Sequence, residues 1–167
     1  LTFIAGRQLL AGCSKCSSTS TGETSGLSGS PFASADVGRS ASIAFQTAQQ
    51  GRKREALAVF DRLLTVTPDD AEAHFNRGFL LQEMNDHEGA MAAFRRAIAL
   101  DPHHDRAHYG LALSLISTRR LDEALAPLKK NTKLQPMSPY GWYQLARVQH
   151  DLGRIEETQQ VLDHLAK

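Results

Sequence analysis

The sequence predicts an all-α protein, an array of about four antiparallel helix pairs, and three observations predict it. First, residues recur at a period of 34: Pro68, Pro102 and Pro136; Ala56, Ala90 and Ala124; Phe60, Phe94, Leu128 and Leu162; Ala44, Gly78, Ala112 and Ala146. Four independent columns that keep one period mark an internal repeat. Second, within one period "AEAHFNRGFLLQEM" and "HEGAMAAFRRAIAL" each space apolar residues as one helix face requires. Third, Asp-Pro follows the second segment, and proline disfavours helix in the residue before it, so the run stops there.

Taken in order, residues 1–36 form an N-terminal arm with a targeting remnant at its start, and 37–167 form the repeat domain. The arm between 17 and 36, "SSTSTGETSGLSGSPFASAD", is Ser, Thr and Gly with little to bury, and it reads as flexible. The repeats fall at about 37–70, 71–104, 105–138 and 139–167. In each, a short polar turn such as "NDH" separates the two helices. Small residues have a mechanical reason where the helices cross. Only Gly or Ala fits between two close backbones, so Gly78 and Ala90 are placed at a crossing, with Phe94 as the large knob against it.

The 34-residue period and the G…A…F…A…P columns resemble those of the tetratricopeptide repeat family, in its bacterial form. Residues 71–104 are a near-consensus copy; residues 105–138 depart at Leu128 and Asn131, 37–70 at Ser40, and 139–167 at Thr158. The resemblance implies a right-handed superhelical solenoid that acts as a non-catalytic scaffold. In that family the second, fifth, ninth and twelfth positions of each first helix face a concave groove. Carried over, the fifth positions are Ala41, Phe75, Tyr109 and Tyr143, and the ninth are Phe45, Phe79, Leu113 and Arg147. Asn76 matches an asparagine that holds a bound peptide's backbone in many relatives, and Arg106 and Arg147 add charge at one end. The expected ligand is an extended peptide or an amphipathic helix, held by Phe45, Phe75, Asn76, Phe79, Tyr109, Leu113, Tyr143 and Arg147. A clamp for acidic chaperone tails is not expected, because Ala41, Phe45 and Gly110 stand where it needs polar or basic groups.

The histidine-rich stretch "ALDPHHDRAHYGLAL" raises a metal reading, since His104 and His108 are four apart. The repeat gives a simpler one. His103 and His104 fill the loop after Pro102, and His108 shares its register position with His74 and Trp142, a half-buried slot for large flat side chains. Zinc wants four ligands, and the stretch offers no convincing third and fourth. Neither a metal nor any other cofactor is expected.

Lys plus Arg total 19 and Asp plus Glu total 18, so the formal charge of +1 gives no strong field for nucleic acid or anionic membrane. No nucleophile motif, phosphate loop or converging carboxylate pair appears, so no enzyme is expected. Leu-Ala-Gly-Cys at 10–13 resembles a lipoprotein cleavage box, in which Cys13 is lipidated; Arg7 and Gln8 interrupt the apolar stretch such a signal needs. A cytoplasmic protein is therefore the expectation. An envelope-anchored periplasmic lipoprotein that assists assembly of a pilus or secretion apparatus is the alternative, and membrane contact follows only if Cys13 is lipidated. The last helix carries Ile155, Val161, Leu162 and Leu165, which predicts self-association through it.

Overall fold

A computed structural model describes residues 34–165 as eight α-helices with no strand among them. They are α1 (Ser34–Gln49), α2 (Lys53–Val66), α3 (Ala71–Glu83), α4 (His87–Leu100), α5 (Asp105–Ser117), α6 (Leu121–Leu134), α7 (Pro139–Asp151) and α8 (Ile155–Leu165). Each helix packs on the next, and α3 also touches α5, so the first helices of successive repeats line a common face. This is the helical solenoid expected from the period. Helix α1 begins at Ser34, inside the stretch read as arm; Cys13 and the rest of the arm lie outside the described residues. None of the described helices is long and apolar enough to cross a membrane.

The predicted crossings form. Ala44, Ala56, Ala90, Ala112 and Ala124 are fully buried. A β-carbon on Gly78 would lie 2.9 Å from the Phe94 ring and 3.2 Å from the Ala90 carbonyl oxygen. Any larger residue there would have to push α3 off α4.

The turns inside the repeats share one device. Gly51, Asn85, Arg119 and Gly153 stand one period apart and all have positive φ, at 82°, 63°, 62° and 72°. The next amide in each case reaches back to close the helix end: Arg52 to Thr47 O (3.1 Å), Asp86 to Leu81 O (2.9 Å), Arg120 to Leu115 O (2.9 Å) and Arg154 to Gln149 O (2.8 Å). This left-handed cap satisfies carbonyls that the helix leaves open.

The turns between repeats share another. The ring N–H of His74 donates to Pro68 O (2.9 Å), that of His108 to Pro102 O (3.2 Å) and that of Trp142 to Pro136 O (2.9 Å). His108 is therefore a joint residue, as its register position predicts. Burial pushes its pKa below the ordinary histidine value, and the Pro102 carbonyl pulls the other way. His104 is not loop filler. It is the N-cap of α5, its Nδ1 accepting from the Ala107 amide at 3.2 Å, as the Asp70 carboxylate accepts from the Ala73 amide at the start of α3.

Candidate functional site

The face lined by the first helices carries the candidate residues at three depths. Phe45, Phe79, Tyr109 and Leu113 are half-buried, as is Asn76. Tyr143 and Arg147 are exposed. Phe75 departs from expectation: it is only 5% exposed and belongs to the main hydrophobic core. A ligand cannot grip it as it stands.

The cause lies in the neighbouring repeat. The His104 ring packs against Phe75 with centroids 4.9 Å apart, Phe94 lies 5.9 Å away, and the Arg106 guanidinium sits 4.8 Å from the Phe75 centroid. Both cover residues are tied down by Glu72. Because Nδ1 of His104 accepts the Ala107 amide, its proton sits on Nε2, which donates to Glu72 Oε2 at 3.2 Å. Arg106 donates to both Glu72 oxygens at 2.9 Å. The His104 hydrogen bond holds the Glu72 carboxyl below the usual carboxylate range, burial opposes that, and the Arg106 charge adds to the lowering. Arg106 is thus committed within the protein and is not the free groove cation expected of it. Both ring nitrogens of His104 are engaged as well, and among the described residues no group of three or more His, Cys, Asp or Glu stands close enough to share a metal.

Tyr109 takes the same register position as Phe75 but is less completely covered. Burial raises its phenol pKa, and a hydrogen bond from Gln144 and the charge of Arg147 partly offset this. Arg147 makes no ion pair among the described residues, which leaves a cation beside Tyr109 available to a ligand. The candidate strip is therefore Phe45, Phe79, Tyr109 and Leu113, all half-buried, beside the half-buried Asn76 and the exposed Arg147. Sequence reasoning missed Glu72 and His104. The available signal was the register pairing of Glu72 with Arg106, one period apart and opposite in charge.

Residues 45–113 match the family described as tetratricopeptide repeat, and residues 90–165 match anaphase-promoting complex, cyclosome, subunit 3. Among solved structures, the chain is similar to MamA, with a TM-score of 0.73 and 19% identity over 77% of this chain and 75% of that one. It is similar to the first TPR of Spaghetti (RPAP3) bound to an HSP90 peptide, with a TM-score of 0.69 and 17% identity over 72% and 98%. It is also similar to the Thermobaculum terrenum O-GlcNAc transferase, with a TM-score of 0.64 and 26% identity over 70% of this chain but 22% of that one. No curated protein matches the sequence.

Proposed function

We propose that this chain, a member of the tetratricopeptide-repeat family and a protein-interaction scaffold, binds an extended peptide or an amphipathic helix along the face lined by its first helices. The observation that carries this reading is the half-buried strip Phe45, Phe79, Tyr109 and Leu113, flanked by the exposed Arg147. Apolar anchors enter the strip, Asn76 holds the ligand backbone, and Arg147 favours an acidic residue at one end. The Spaghetti (RPAP3) repeat domain, whose structure contains a bound HSP90 peptide, lends support at the level of ligand type. No catalytic role is part of the reading.

The test uses a peptide selected from a random display library against the whole protein. Aromatic anchors commonly dominate groove affinity, at ~2 kcal/mol or more on truncation, so Tyr109→Ala weakens binding by about tenfold or more while the fold survives. Arg147→Ala weakens it less, and its effect shrinks in high salt because an exposed charge is screened. If both variants bind the peptide like the parent protein, the strip is not the site.

A further inference from the structure

The second helices also carry their exposed residues in register. On α4, Ala92, Arg95, Arg96 and Ala99 are exposed at the spacing of a single helix face. One period earlier the same positions hold Ala58, Asp61, Arg62 and Thr65, and one period later Ala126, Lys129, Lys130 and Lys133. All of these are exposed except Lys130, which is half-buried. The face formed by α2, α4 and α6 thus sets Arg62, Arg95, Arg96, Lys129, Lys130 and Lys133 against one carboxylate, Asp61, which is itself bound to Arg77. In a chain whose formal charge is +1, this is a local concentration of positive charge.

Contacts within the protein do not account for it. Arg96 pairs with Asp69 at 3.0 Å and Lys129 with Glu157 at 3.5 Å. Arg62, Arg95, Lys130 and Lys133 make no hydrogen bond or ion pair among the described residues. The charge of Arg95 reaches Glu123, but two hydrogen bonds from Arg120, each 2.7 Å, already hold that carboxylate. A helix dipole favours a cation in the last turn, which explains Lys133 alone, since α2 and α4 have no basic residue there.

The chain has little anion to spare for the face. Among the described carboxylate side chains, all but Asp151, which lies beside His150, and Glu156 hold a hydrogen bond or an ion pair. A second copy therefore offers no row of free acids. Residues 1–33 carry one carboxylate, Glu23, against Arg7 and Lys15. A nucleic acid fits poorly as well. The outward positions hold no aromatic ring to stack a base, and the exposed Glu55, Glu88, Asp122 and Glu123, in the first turns of the same helices, repel a phosphate chain broader than the basic rows.

We propose that the outward face of α2, α4 and α6 docks a segment of a partner protein rich in aspartate and glutamate. Its carboxylates pair with the guanidinium forks of Arg62 and Arg95 and with the ammonium groups of Lys130 and Lys133. The alanine column Ala58, Ala92 and Ala126 adds no bulk, so the segment lies close to the helices. The first-turn carboxylates bound the face on one side and fix where an acidic segment ends. This surface belongs to the second helices, not to the Tyr109 strip, and stands or falls independently of it.

The probe is a fluorescein-labelled oligoglutamate peptide, with oligoglutamine as the neutral control, and its binding to the full chain is read by fluorescence anisotropy. The parent protein binds oligoglutamate saturably and oligoglutamine not at all, and added salt weakens the binding. Arg95→Glu weakens it at least about tenfold, because a pair is lost and a like charge gained. Arg119→Glu makes the same change in net charge away from the face and leaves the affinity unchanged. Should Arg95→Glu lower the thermal midpoint, Arg62→Glu takes its place. Absence of binding to the parent, or an equal loss from Arg119→Glu, overturns the proposal. So does a loss on Arg147→Ala, which would put the peptide on the strip. Tighter binding of a labelled oligouridylate at the same salt overturns it too, for then the face takes a nucleic acid.

Discussion

Phe94 and Gly110, on neighbouring repeats, approach so closely that a β-carbon on the glycine would lie 2.6 Å from the tip of the ring. Gly78 meets the same ring from its own repeat at 2.9 Å. One buried side chain thus sets the spacing within a repeat and between repeats. Overpacking at such a point costs ~1–3 kcal/mol. Gly110→Ala and Ala90→Leu each lower the unfolding free energy by an amount in that range, read as a lower denaturant midpoint at an unchanged m-value. A midpoint equal to the parent's would show that the helices slide apart freely here.

Phe75→Ala behaves as a core truncation. The ring lies under His104 and Arg106 and against Phe94, so removing it costs ~3–5 kcal/mol. Thermal denaturation reads this directly. A small loss, together with weaker peptide binding, would restore Phe75 to the groove.

Arg119 takes a left-handed backbone conformation that glycine adopts at two of the four equivalent turns. An L side chain is strained there, while glycine costs more entropy on folding. The first effect is the larger, so Arg119→Gly stabilises by roughly 0.5–1 kcal/mol. Among the described residues, the exposed Arg119 side chain makes no hydrogen bond or ion pair that the change would remove. A lower melting temperature in the variant would refute the argument.

Acid acts on His108 and Glu72 in separate windows. The His108 pKa is lower folded than unfolded, so the unfolded chain binds its proton first and stability falls as pH drops below the ordinary histidine value, near 6.5. Glu72, also lowered, contributes stability above the ordinary carboxylate value, near 4.5, and loses it only as pH falls further. His108→Gln keeps a donor and does not titrate. Its urea midpoint declines less between pH 7 and 5.5 than the parent's, and parallel curves would exclude His108 as the cause.

The repeat register was legible because its carriers are residues with narrow geometric roles: glycine and alanine at crossings, proline at the joints, a large apolar knob between. The same register placed His74, His108 and Trp142 in one slot, and the structure gives all three the same proline carbonyl partner. Phe75 was misread because register fixes where a side chain starts, not what its neighbour lays over it. Phe75, Tyr109 and Tyr143 share a position, yet only Phe75 is followed by a repeat that brings a histidine cap and an arginine held by a common glutamate. Tyr143 is 60% exposed because, among the described residues, no following repeat covers it. Such differences arise across a 32-residue separation between Glu72 and His104, beyond the reach of local pattern.

The three carbonyl ties have a mechanical consequence. Each joins the first turn of a helix to the peptide six residues earlier and so braces the elbow between repeats like a strut. Torque applied between neighbouring units cannot open a braced elbow without first breaking its tie. Flexing is left to sliding of one helix over another, and the array bends as a leaf spring does, by small shear spread along its length.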